Sequence, residues 1–130
     1  MYEEQPPVSH IEENVMNLVN EYRVSLGLNI LEFDSIAYDF ASEHTTYMVT
    51  EGRPSHDNFE FRSSNLSIKV NANYVSENVG RNFTTAESIV KAWIKSPTHK
   101  KVMEGNFTNT AVSINTDDQG VQYITQLFYK

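Results

Sequence analysis

Two segments of alternating apolar and polar residues lie at residues 110–129, which read TAVSINTDDQGVQYITQLFY. An alternation with a period of two is typical of β-strands, and the polar run 117–120 between the segments is a turn signal. We therefore expect an antiparallel hairpin. Its second strand, with Thr125 and Gln126, is expected to be central and well paired in the sheet.

The residues before this hairpin have a helical period. Apolar residues spaced by three and four positions predict helices at 9–26, 34–52, 84–96 and 97–104. Ser9 with Glu12, and Thr84 with Glu87, match the capping box that opens many helices. Residues 53–76 show no steady period, and we expect a long functional loop with one turn of helix and a short strand. Helices followed by a hairpin predict an α+β fold.

Length and composition are those of one ordinary domain. The chain has 130 residues, and we divide it into a flexible N-terminal segment 1–8 and a single domain 9–130. Ten Lys and Arg against seventeen Asp and Glu give a net charge of −7, which disfavours nucleic-acid partners. The absence of cysteine excludes thiol chemistry and zinc sites that need a thiolate. No apolar run is long enough for a transmembrane span.

Four histidines and one arginine are the first candidates for chemistry. His10 lies near the start of the first helix and is expected to be solvated. His44 falls on the apolar face of the second helix, which favours a hydrogen-bonded core histidine over a ligand. His56 lies in the long loop, and His99 lies in a first helical turn, where the helix dipole favours a neutral imidazole. For Arg62 a solvated loop charge is favoured over the alternative, a pair with an acid near these groups.

Glu77 carries the sharpest prediction from the residues alone. Val75, Glu77 and Val79 share one face of a strand, and the valines indicate that this face is buried. A buried carboxylate is costly unless it is paired or hydrogen-bonded, and the nearest cation in sequence is Arg81. We therefore expect a partner from elsewhere in the fold, with the histidines as the candidates.

Seven stretches, in their order along the chain, resemble a known family. They are Asn20–Arg23, Leu31–Asp34, Ala41–His44, Ser55-His56, Ser76–Val79, Ala92–His99 and Tyr123–Phe128. Together they look like the CAP domain of cysteine-rich secretory proteins, antigen 5 and pathogenesis-related 1 proteins, in its cysteine-free bacterial branch. The resemblance implies a three-layer α-β-α sandwich with a central antiparallel sheet.

The resemblance also implies a cleft lined by two histidines and, in many members, two glutamates. By position the histidines are His56 and His99, and one glutamate is Glu77. The second glutamate of the family falls at Ser96, which costs the cleft one carboxylate. His44 and Arg62 are held as further cleft candidates.

Two imidazoles and a carboxylate can bind a divalent metal such as zinc, form an acid–base pair, or make a polar network that fixes the loop. Our first hypothesis is an exported binding module whose cleft takes a divalent metal or a small, lipid-like ligand. The alternative is a metal-dependent or acid–base hydrolase that uses the same residues, and a structural domain with an inert cleft stays open. We expect a secreted, periplasmic or cell-surface location, with an export signal already removed.

Overall fold

The computed structural model of the protein describes residues 8–130, so the predicted flexible segment lies outside the described residues except for Val8. The elements are α1 (Val8–Ser25), β1 (Glu32–Phe33), α2 (Ser35–Glu51), α3 (Phe59–Val70), β2 (Val75–Arg81), α4 (Ala86–Lys95), α5 (Pro97–Met103), β3 (Asn109–Thr116) and β4 (Gln122–Tyr129). Helices and the closing hairpin thus follow the predicted order.

The four strands form one sheet in the order β1-β3-β4-β2. β4 pairs antiparallel with β3 on one side and with β2 on the other, so Thr125 and Gln126 occupy the predicted central strand. The expectation of an all-antiparallel sheet needs one correction, because β1 pairs parallel with β3. This short strand was not predicted, since two residues leading into a helix show no alternation.

Helices cover both faces of the sheet. Leu127 of β4 packs in a cluster with Ala41 of α2 and Leu66 of α3. Its neighbour Phe128 packs in another cluster with Val15 of α1 and Trp93 of α4. Successive strand residues point to opposite faces, so the predicted three-layer α-β-α sandwich is confirmed.

Helix α1 begins one residue earlier than predicted. Because Val8 is already helical, Ser9 lies inside the helix and the predicted capping box is wrong. Glu12 turns inward instead and accepts a hydrogen bond from the backbone N–H of Ile114 at 2.8 Å. A carboxylate from the first helix thus satisfies an amide of β3.

The segment 53–76 contains more regular structure than the predicted loop. Twelve of its residues form α3, which begins after Asn58 in the left-handed region at φ 62°. Gly52 ends α2 in the same region at φ 73°. The chain therefore turns sharply twice, and α3 packs beside α2 over β2.

Candidate functional site

The candidate site is built around the carboxylate of Glu77, on the face of β2 that α2 and α3 cover. The residue is 5% exposed, and each of its oxygens accepts a hydrogen bond from Arg62, Oε1 from Nε at 2.7 Å and Oε2 from Nη2 at 2.8 Å. Arg62 lies on α3, is 4% exposed, and donates a further bond from Nη1 to the Asp57 carbonyl at 2.7 Å. This bidentate pair ties α3 and the loop before it to the sheet.

His56 is the second partner of this carboxylate. Its Nδ1 donates to Glu77 Oε2 at 2.7 Å, while 57% of the His56 side chain stays exposed. Burial on its own would raise the pKa of Glu77, but hydrogen bonds from His56 and Arg62 outweigh it and hold that pKa below its ordinary value. Glu77 is therefore ionised at neutral pH, and its bond to Nδ1 orients the His56 ring.

His44 lies beneath this group on α2. Its Nε2 donates to the Ser55 carbonyl at 2.6 Å, and its ring stacks on Tyr47 with centroids 5.8 Å apart. Burial lowers the pKa of His44, with smaller opposing contributions from Ser55 and Glu77. The prediction of a hydrogen-bonded core histidine is confirmed, and the Ser55 bond makes His44 an anchor for the loop that carries His56.

His99, on α5, approaches β2 as well. Its ring stacks on Trp93 with centroids 6.0 Å apart, and its carbonyl accepts from the Asn78 amide at 3.1 Å. Burial lowers the pKa of His99, the Val79 backbone opposes this, and the nearby charge of His56 lowers it further. A neutral imidazole at this position agrees with the sequence argument.

Ser96, at the position of the family's second glutamate, is the N-cap residue of α5. Its side chain forms no capping bond to the helix. Its Oγ lies 2.8 Å from His99 Nδ1 instead. This hydrogen bond holds the His99 ring in its orientation.

The structure therefore brings two groups of predicted residues to β2. His56, Glu77 and Arg62 form one connected cluster, and His99, bonded to Ser96, contacts the strand at Asn78. Sequence reasoning weighed a solvated Arg62 against a paired one; the solvated alternative is wrong and the paired one is confirmed. It did not identify Arg62 as the main partner of Glu77, because the two residues meet only after α3 has packed on the sheet.

The predicted zinc site can be tested against these contacts. Within residues 8–130, no group of three or more His, Cys, Asp or Glu side chains could hold a metal ion. Both oxygens of Glu77 are already bonded, and the Arg62 guanidinium beside them would repel a divalent cation. This arrangement does not fit a three-ligand zinc site, and zinc binding stays a prediction from the resemblance.

A recess of about 300 Å³ opens next to the cluster between α2 and α3. It is lined by Phe40, Glu43, His44, Tyr47, Asn58, Phe61 and Arg62. Its volume lies at the lower end of small-molecule pockets. A small ligand could therefore sit against the buried ion pair without a change of fold.

An α-β-α sandwich whose edge strand carries a buried glutamate between histidines defines the class of the protein. The chain belongs to the CAP family, the cysteine-rich secretory protein family, whose model matches residues 16–128. The family takes its name from cysteines, and this chain has none. Among residues 8–130, no helix is both long and apolar enough to cross a membrane.

Two curated relatives come from Bacillus subtilis. The uncharacterized membrane protein YlbC is 26% identical over 92% of this chain, and the uncharacterized protein YkwD is 28% identical over 81%. The chain spans 34% of the first relative and 42% of the second. Among solved structures, an outer surface protein from Borrelia burgdorferi is similar with a TM-score of 0.86 at 19% identity, covering 99% of this chain and 98% of that one.

Proposed function

We propose that the chain is an exported CAP-domain binding module, and that a small ligand binds at the cluster of His44, His56, Arg62 and Glu77. The carrying observation is the recess of about 300 Å³ that reaches His44 and Arg62 while Arg62 is locked to Glu77. The Arg62 side chain in the lining of the recess is therefore held in place before a ligand binds, which lowers the entropy cost of binding. His99, held by Ser96, is a further histidine of the proposed cleft.

The names of similar proteins support a location outside the cytoplasm. One structural neighbour is an outer surface protein, and one curated relative is named a membrane protein. Because this chain matches only part of both curated relatives, it corresponds to one module of them. We propose secretion or display at the cell surface for the protein that carries this domain.

The test is a ligand screen read out by NMR on the imidazole signals of the four histidines. Zinc, small polar compounds and short-chain lipids form the three arms of the screen. A cleft ligand should move the signals of His44 and His56 and leave His10 unchanged, since His10 is exposed on α1. At 100 times its Kd the ligand should also stabilise the fold by about 2.7 kcal/mol.

If no arm moves the cleft histidines, or if all four histidines shift together, the cluster is a structural network only. A zinc response confined to His10 would indicate binding at the surface. A zinc response at His56 and His99 together would instead support the metal form of the proposal.

One observation favours the second candidate, an acid–base hydrolase. Glu77 accepts from His56 Nδ1, which orients the ring of this 57% exposed side chain and leaves Nε2 as the candidate general base. Hydrolysis of peptide or ester substrates should then be lost in His56→Gln, with His10→Gln as the matched control. Activity retained in His56→Gln would exclude this mechanism.

A further inference from the structure

A second groove lies at the opposite edge of the sheet from the cleft. It has a volume of about 590 Å³ and runs between α1 and the β1 side of the sheet. Glu12, Met16, Leu31, Phe33 and Tyr38 are among the residues that line it. Nothing in the proposed function depends on this groove.

The unusual group in the groove is the carboxylate of Glu12. It is 6% exposed, and it accepts hydrogen bonds from the Ile114 backbone N–H at 2.8 Å and from the Tyr38 hydroxyl at 3.1 Å. The ion pairs of residues 8–130 do not include Glu12. Within this part of the chain, the carboxylate is therefore hydrogen-bonded but forms no ion pair with a cationic side chain.

The electrostatics of the groove favour a cation. Its charged lining residues are Glu12 and Glu13, and both are acidic. Burial raises the pKa of Glu12, while the bonds from Ile114 and Tyr38 work in the other direction. The hydrogen bonds offset only part of the cost of burying this charge, and a bound cation would offset more of it. The net charge of −7 also attracts positively charged ligands to the protein.

The remaining walls of the groove fit an aliphatic chain. Met16 and Leu31 supply apolar surface, and the rings of Phe33 and Tyr38 lie 6.1 Å apart beside them. The faces of aromatic rings attract an ammonium group. The methylene groups that carry the ammonium can pack against the same faces. Phe33 is 54% exposed, so this wall is open to an incoming molecule.

We propose that the groove between α1 and β1 binds a primary ammonium group on an aliphatic chain. The ammonium lies on Glu12, and the methylene groups pack against Met16, Leu31 and Phe33. A free alkylamine and a lysine side chain of a peptide share this chemistry. The volume of the groove accommodates either source.

The test uses three probes by calorimetry and NMR. Acetyl-lysine methylamide represents a peptide lysine, n-pentylamine represents a free amine, and acetyl-norleucine methylamide is the neutral isostere of the first. The lysine derivative or pentylamine should bind at least about tenfold more tightly than the norleucine derivative, as expected for a charge-assisted hydrogen bond. The tighter of the two cations identifies the source. Binding should shift the Ile114 amide signal, because that N–H donates to Glu12.

Glu12→Gln keeps a carbonyl acceptor for Ile114 and removes the charge. The variant should fold, melt no lower than the parent protein and bind the cations at least about tenfold more weakly. Glu21→Gln, an exposed change of equal charge on the same helix, should leave binding unchanged. Equal binding of the lysine and norleucine derivatives, or unchanged cation binding in Glu12→Gln, would overturn the proposal. Absence of any cation binding to the parent protein would overturn it as well.

Discussion

At the scale of single residues, the Glu77 carboxylate organises the site. Period-two reasoning placed it on a buried face, and the structure confirms that it is buried. Its bond to His56 agrees with the expected histidine partner. The Arg62 bonds could not be predicted, because fifteen residues of chain separate Arg62 from Glu77 and only the packed helix brings them together.

Two replacements of Glu77 should distinguish how its charge and its side-chain volume contribute to the free energy of unfolding. Glu77→Ala leaves the buried Arg62 guanidinium without its counterion and should destabilise the fold by about 3–5 kcal/mol. Glu77→Gln keeps an acceptor and the side-chain volume, so it should cost less and retain the fold. Urea unfolding measures both changes in the free energy of unfolding. The control Glu43→Ala, at an exposed position of α2, should stay within about 0.5 kcal/mol of the parent protein.

The two histidines with lowered pKa values predict a pH dependence of stability. Both His44 and His99 have a folded pKa below the ordinary value of 6.5. Between the folded pKa and pH 6.5, the unfolded chain therefore binds more protons than the folded protein does. Their contribution to stability is fully present above about pH 6.5 and is lost as pH falls towards the folded pKa. The folded pKa of Glu12 is raised above 4.5, so its contribution has the opposite sign. This contribution to stability is fully present below about pH 4.5 and is lost as the pH rises through the folded pKa.

The histidine contribution is isolated by comparing variants. Melting temperatures measured from pH 4.5 to 8 should rise less steeply with pH in His44→Gln and His99→Gln than in the parent protein. His10→Gln, which changes an exposed histidine, should follow the parent curve. Parallel curves for all four proteins would show that neither buried histidine contributes.

At the scale of elements, α3 shows where the sequence pattern fails. Its buried residues are Arg62 and Leu66, while Phe61 and Ile68 are 56% and 78% exposed. A helix that buries an arginine and exposes two of its large apolar residues has no continuous apolar stripe to detect. Helix α2, in contrast, buries a regular apolar face, which is why its bounds were predicted closely.

The N-cap of α4 lies one residue after the predicted one. The predicted cap was Thr84, but Thr85 is the N-cap and its side chain accepts from the Ser88 backbone N–H. Thr85→Ala should therefore cost about 1 kcal/mol of stability. Thr84→Ala, one residue earlier at an exposed position, should cost less than about 0.5 kcal/mol. Thermal unfolding of the two variants decides between the caps, and the reverse order of effects would favour the capping box with Glu87.

At the scale of the whole molecule, the sheet has two edges with different chemistry. The β2 edge carries the ionised Glu77 with its cationic partner and two histidines. The β1 edge carries the buried Glu12, which has no cation beside it within residues 8–130. The resemblance pointed to the first edge only, because its motifs contain the histidines. The second edge depends on how α1 packs on β3, which no local pattern shows.

The cleft is built on one buried ion pair, between Arg62 of α3 and Glu77 of β2. A double-mutant cycle with Arg62→Met, Glu77→Gln and both together measures the coupling of the two side chains through the free energy of unfolding. The double variant should be less destabilised than the sum of the single variants, by about 1–3 kcal/mol. Additive effects within about 0.5 kcal/mol would contradict it, because the two side chains would then not interact in solution.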